Sequence, residues 1–337
     1  MTAPVSTNVL QISTEWKVDK PKHNYTLIIT GIVALVGIVA LVVASYFFLP
    51  LAAAIAFTVG GTLLAAFDAM LIATRMFLIP SANYPFKSSQ NDSEYKVNAS
   101  LQLKDGTVLK GAMLQNKTKK NEEKHIAVLF HGNGVFANEN HLKSYMKSTK
   151  IYEDFDALEM NYRGSSNSTG DFTSHSQHVK DQIEVVQSLL DQGYKLENMV
   201  LIGHSLGGSI ATCVKEYFDK QSAPGEKPCK IVAYHTFHKL SEVISGRMQI
   251  PVIKEIVKGL TKLSLSTLGW DINFDWKRWN GLKGEKIAIG GSHMDTVIPP
   301  NMCLASYLKD KKANGQIYIR NTPHMEVDFD CIPATKH

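Results

Sequence analysis

The hydrophobic pattern divides the chain into stretches of different period. From Tyr25 to Phe67 no residue is charged, about twice the ~20 apolar residues that span a bilayer once. Two passes fit this run. The first, about Thr26 to Leu49, ends in Tyr46, Phe47 and Phe48 before Pro50, an aromatic interface followed by a break. The second runs from Leu51 to about Leu78 and carries Asp68 and Arg75 in its second half. A mid-span charge is unfavourable by about 2.5–3.5 kcal/mol, so Asp68 is expected at an interface or paired with Arg75. Lysines before the first pass, with Arg75 and Lys87 after the second, place both ends on the cytoplasmic side. Two other readings compete for this region: a secretory signal, which fits poorly after so long a polar leader, and a buried hairpin, which has no solvent-facing side.

The flanks are polar. Residues 1–24 lack hydrophobic periodicity and are expected to be a flexible tail; 81–94, rich in Ser, Asn, Asp and Pro, read as a linker. After the linker the period shortens. Tyr95–Leu103 and Val108–Leu114 alternate about an Asp105-Gly106 turn and predict a hairpin. Strands are expected next at 125–130, almost wholly apolar, and at 157–161, 200–202, 231–234, 286–289 and 316–319. Helical patterns lie between them near 139–147, 178–190, 209–213 and 301–308, with an irregular helical cap at about 240–282. Strands alternating with helices after an opening hairpin predict a mostly parallel, doubly wound α/β sheet over 95–337.

Composition changes this little. The formal charge of +5 comes from interspersed signs, and the one basic run, Lys117–Lys124, also holds Glu122 and Glu123, so it reads as a solvated loop rather than a nucleic-acid patch. Cys213, Cys229, Cys303 and Cys331 show no metal or redox spacing, and the histidines form no His-Glu-x-x-His pair. Neither a metal nor a cofactor is called for.

The chemistry is expected at Gly203-His204-Ser205-Leu206-Gly207. An apolar strand enters it and a small-residue helix leaves it, so Ser205 sits on a sharp turn with the Leu206 amide opening the helix. The pattern alone also fits a glycine-rich helix cap. In open parallel sheets partners come from loops after the carboxyl ends of strands. Asp295 occupies one such loop, where it either orients a base or caps the segment beginning near Pro299. His324 occupies the loop after the last strand and is the candidate base; His293 is the fallback.

The order Ser205, Asp295, His324, with His131-Gly132-Asn133-Gly134 and Asn161-Tyr162-Arg163-Gly164, resembles the α/β-hydrolase superfamily from about Tyr95 to the end. The resemblance implies an oxyanion hole from the backbone amides of Leu206 and Asn133, and structural roles for His131 and Arg163. It is similar in particular to monomeric serine hydrolases acting on acylglycerols, lysophospholipids or acylated proteins. More faintly, the bilobed apolar stretch resembles secreted, membrane-inserting effectors of intracellular bacteria. The expected function is a membrane-anchored serine hydrolase cleaving an acyl ester or thioester, with membrane lipids and a lipid or acylated protein as its partners. A peptidase of the same fold and an inactive membrane scaffold are the alternatives.

Overall fold

A computed structural model describes residues 9–18, 33–44 except 35, 51–78, 96–115, 120, 123–148, 155–246 and 251–326 except 292. The sheet has nine strands: β1 Gln11–Val18, β2 Lys96–Gln102, β3 Val108–Leu114, β4 Ile126–Phe130, β5 Asp156–Met160, β6 Met199–His204, β7 Lys230–Tyr234, β8 Lys286–Gly291 and β9 Gln316–Arg320. Their spatial order is β1-β2-β3-β5-β4-β6-β7-β8-β9. The first four in space pair antiparallel, and every pair from β5 onward is parallel. The strands β4, β5 and β6 are buried along their whole length; β4 is a continuous apolar run, whereas β5 also buries Asp156, which accepts from Tyr194 Oη, and Glu159, which faces His141.

The α-helices are α1 Leu51–Leu78, α2 Glu139–Ser148, α3 His175–Asp191, α4 Leu206–Gln221, α5 Leu240–Ser245, α6 Pro251–Thr267, α7 Trp276–Gly281 and α8 Leu304–Asp310. One face of the sheet packs against α3, α4 and α8 through Val185, Leu189, Ile210, Val214 and Leu308. The other packs against α2 through Leu142, Tyr145 and Met146. Together they make the three-layer arrangement that the alternating pattern predicts.

The amino-terminal segment corrects the sequence reading. Residues 11–18 are not a loose tail but an edge strand, paired antiparallel with β2 from Gln11 opposite Ser100 to Val18 opposite Lys96. Leu10 is buried, and its carbonyl accepts from Gln192 Nε2 at 2.8 Å. The signal is short: Leu10 and Ile12 alternate, Ile12 opposite the buried Ala99, and the register then shifts between Ile12 and Lys17, which breaks the period. The α/β unit therefore begins before the apolar region, and the run from Tyr25 is an insertion between two adjacent strands.

Within that insertion, residues 36–44 are helical and lie against α1, where a Cβ at Gly61 would meet Val42 Cγ2 at 2.2 Å. Val33, Val36, Val39, Leu41, Val43, Ile55, Val59 and Leu64 are more than half exposed. Among the described residues no helix is long and apolar enough to cross a membrane. The proposed aromatic interface at Tyr46–Phe48 and the linker 81–94 lie outside the described residues, as does the Arg75 side chain offered as partner to Asp68. The hairpin meets the rest of the protein through α6, where Thr261 Oγ1 lies 3.8 Å from Met70 Sδ.

The segment after α6 is anchored by aromatic rings. Trp270 stacks on Phe172 with centroids 5.1 Å apart, and its indole donates to Thr173 O at 2.7 Å. His178 lies within this cluster, fully buried, with neither ring nitrogen hydrogen-bonded among the described residues. Burial, reinforced by His175, Arg163 and His131 nearby, pushes its pKa down to about 3. The folded protein thus refuses a proton that the unfolded chain takes up near its ordinary value of about 6.5. Stability is full above that pH and declines as pH falls toward 3. His178→Phe should flatten this loss, read as a smaller drop in Tm between neutral and acidic buffer.

Candidate active site

The carboxyl ends of β4, β6, β7, β8 and β9 converge on one crevice. Between β6 and α4, Ser205 adopts φ 52 and ψ −118, a sparsely populated conformation for a side-chain-bearing residue. The turn closes because α4 starts directly over β4: a Cβ at Gly207 would stand 1.9 Å from the carbonyl oxygen of Phe130. The Ser205 amide is tied to Tyr234 O at 3.1 Å. The hydroxyl is thereby held at the helix N-terminus.

The loop after β4 lies beside it. A Cβ at Gly132 would be 3.2 Å from Ser205 Cβ, and Asn133 lines the same cleft as Ser205 and Leu206. Both residues expected to supply oxyanion amides therefore border the serine. His131 points away from the cleft: its Nδ1 lies 3.0 Å from Gly132 O, its ring packs on Tyr162, and its carbonyl accepts from Tyr162 Oη at 2.9 Å. Arg163 forks onto Asp181 and also reaches Asp105 at 2.8 Å, tying the loop after β5 to helix α3 and to the β2–β3 turn. These contacts are structural.

After β8, Asp295 is buried, and its two oxygens have separate tasks. Oδ1 accepts the amides of Val297 at 3.0 Å and Ile298 at 2.8 Å, closing a local turn. Oδ2 faces His324 Nδ1 at 3.0 Å. Turn closure and histidine orientation, weighed as alternatives from the sequence, both occur. Burial alone would raise this carboxyl, but hydrogen bonds from His235, His324 and the Ile298 amide outweigh it and hold the group well below the usual carboxylate range. It is ionised, so the imidazole Nδ1 facing it is a donor, and in the neutral ring Nε2 is then the nitrogen that carries the lone pair.

His324 and Ser205 are nearly equally buried, at 8% and 9% exposure. No hydrogen bond joins them among the described residues, a looseness common before substrate binds. His293 is exposed and is not brought to Asp295. Two residues not anticipated from the sequence complete the site. His204 donates from Nε2 to His324 O at 2.9 Å, pinning the histidine loop to the elbow, and burial lowers its pKa well below the ordinary value, so it stays neutral. His235, at the end of β7, places Nδ1 2.8 Å from the same Asp295 Oδ2.

His235, Asp295 and His324 are also the group of described residues with metal-ligand composition, their ligand atoms lying within 4.8 Å of one another. A metal there would displace both imidazole–carboxylate hydrogen bonds. The cleft in front of Ser205 is apolar, walled by Leu206, Phe237, Leu240, Val243, Val297 and Ile298, and holds a cavity of about 30 Å³.

Sheet order, a strained serine at a strand-to-helix turn and a buried histidine–aspartate pair together make the arrangement that serine hydrolases of the α/β-hydrolase fold use. Residues 115–225, which include the β4 loop and the elbow, match the PGAP1-like alpha/beta domain. Among solved structures, an esterase from Pyrococcus furiosus is similar at 18% identity, over 67% of this chain and 81% of that one, with TM-score 0.47. An acetyl xylan esterase from Paenibacillus sp. R4 is similar at 14% identity over 78% and 90%, TM-score 0.49. An alpha-beta hydrolase from Vibrio vulnificus is similar at 17% identity over 67% and 74%, TM-score 0.49. No curated protein sequence matches the chain.

Proposed function

We propose that this protein is a membrane-anchored hydrolase that cleaves acyl esters or thioesters through a covalent acyl-enzyme. The observation that carries the reading is the Asp295–His324 hydrogen bond placed in the same crevice as a strained Ser205 at an apolar cleft. Ser205 Oγ attacks the acyl carbonyl while His324 Nε2 takes its proton. The amides of Leu206 and Asn133 stabilise the oxyanion, and Asp295 stabilises the imidazolium. His324 then returns the proton to the leaving alcohol or thiol. Water repeats the sequence to release the acid and regenerate the serine.

The acyl preference is inferred from six apolar side chains walling the cleft and from the exposed Met294, Val297 and Met325, which lie beside Asp295 and His324 along the chain. The membrane assignment rests on the uncharged run from Tyr25 to Phe67 and the exposed apolar side chains of the hairpin, with the α/β unit on the cytoplasmic side by its flanking lysines. That α6 packs on this hairpin and on α5, which walls the cleft, supports delivery of substrate from a lipid phase.

Turnover of p-nitrophenyl esters from acetate to palmitate, beside peptide p-nitroanilides, tests the substrate class. The reading expects butyrate- to octanoate-length chains to exceed acetate and the anilides to remain uncleaved; preference for the anilides would replace it with a peptidase. Flotation of the full chain with phospholipid vesicles tests the anchor, which Val36→Asp with Leu64→Asp should weaken.

A further inference from the structure

We propose that His235 is a positioning residue for the reaction, a second imidazole that fixes the carboxylate on which His324 depends. This rests on the reading of Ser205, His324 and Asp295 given above. The proposal follows from how Asp295 Oδ2 is shared. That one oxygen faces His324 Nδ1 at 3.0 Å and His235 Nδ1 at 2.8 Å, while Oδ1 is occupied by two backbone amides. Four N–H donors thus surround the carboxylate. Its plane is set from both ends, and the His235 bond defines the direction in which Oδ2 points.

His235 is itself held from several sides. Its backbone sits at φ 48, its amide donates to Ile289 O at 2.7 Å, and its Nε2 lies 3.3 Å from Thr322 Oγ1. In the neutral ring, with Nδ1 donating to the carboxylate, Nε2 accepts from the Thr322 hydroxyl. Thr322 is two residues before His324, so the imidazole of His235 links the loop after β7 to the loops after β8 and β9. Its ring stands at 82° to that of His324, with centroids 5.7 Å apart, which lets both N–H vectors meet at one oxygen.

The same contacts separate the two histidines by role. His235 has both nitrogens engaged and is 1% exposed, so it has no free nitrogen to offer a serine hydroxyl. His324 keeps Nε2 for that purpose. A buried carboxylate oxygen that lost its His235 partner would be free to rotate or to recruit water, and the orientation of His324 would loosen with it.

The test compares wild type with His235→Ala, His235→Asn and His235→Gln on p-nitrophenyl butyrate. An Asn amide can stand where Nδ1–H stands, whereas a Gln amide falls nearer the place of Nε2. His235→Ala should lower kcat about 10- to 100-fold with KM within about twofold, as loss of an outer-shell partner does elsewhere. His235→Asn should recover most of kcat and His235→Gln should not. A kcat for His235→Ala within about twofold of wild type, or equal rescue by Asn and Gln, would overturn the proposal. So would complete inactivity of the Asn variant, which would make His235 the base. Far-downfield proton NMR reads the geometry without substrate. Beside signals from carbonyl-bonded rings such as His204, wild type should show two imidazole N–H signals that disappear in Asp295→Asn, and His235→Ala should lose one of these and broaden the other. If wild type shows no Ser205-dependent turnover, the parent reading fails, and the NMR result alone decides whether His235 fixes the carboxylate; an unchanged His324 signal in His235→Ala would overturn it.

Discussion

Replacing Ser205 with alanine should reduce ester hydrolysis by roughly 10⁵-fold or more and abolish labelling by a fluorophosphonate, with little change in Tm. The size follows from covalent catalysis. Without Oγ no acyl-enzyme forms, and His324 and the oxyanion amides are left to direct water alone, which leaves only a small residual acceleration. Stability should hold because alanine removes one hydroxyl that makes no hydrogen bond among the described residues: the elbow is secured by the Ser205 amide on Tyr234 O and by the close approach of Gly207 to β4. The two readouts must move together. Hydrolysis that survived in Ser205→Ala while labelling vanished would mean that a different group turns over the ester.

The second large effect is expected from Asp295→Asn, about 10⁴-fold in kcat/KM and, unlike the serine variant, accompanied by a lower Tm. Four N–H groups converge on the two carboxylate oxygens, from Val297, Ile298, His235 and His324. An asparagine has only one oxygen. If its NH₂ faces the imidazoles, two donors confront a third, and His324 must turn or shift its proton to Nε2, where it can no longer accept from serine. If its NH₂ faces the backbone, the turn at 295–298 loses both bonds. Either way buried donors are left unpaired, each costing about 1–3 kcal/mol. Kinetics and thermal unfolding of the same preparation check both halves; an Asp295→Asn protein with wild-type kcat/KM would remove Asp295 from the mechanism.

How far this site could be read in the sequence depended on the kind of signal each part carries. Ser205 was legible because three consequences of one geometry are written together: an apolar strand, glycines at the turn and a small-residue helix. Asp295 and His324 were legible because both follow short apolar strands, and the carboxyl edge of a parallel sheet is where such loops meet. His235 also follows an apolar strand, β7, yet a single histidine there carries no spacing rule that distinguishes it from a buried filler. Only the three-dimensional crossing of the loops after β7, β8 and β9 gives it a partner. His204 lay inside the motif itself, where attention falls on the glycines and the serine.

The strand at Gln11–Val18 was hidden for a different reason. Its alternation is broken by the register shift between Ile12 and Lys17, and its partner β2 lies some eighty positions later, beyond the apolar insertion. Long-range pairing of that kind leaves no local trace. The insertion itself was conspicuous in hydropathy, and the contact between Gly61 and Val42 makes it a packed helical pair; its placement relative to a bilayer is a matter for the flotation experiment.

The central claim is that one serine, one imidazole and one carboxylate act on the same acyl carbon. A crystal structure of the full chain inhibited by an alkyl fluorophosphonate tests it most directly. The account predicts phosphorus bonded to Ser205 Oγ, the phosphoryl oxygen within hydrogen-bond reach of the Leu206 and Asn133 amides, and His324 Nε2 beside Oγ with Asp295 still on Nδ1. An adduct on any other residue, or a phosphoryl oxygen turned away from those two amides with His324 out of reach, would contradict it.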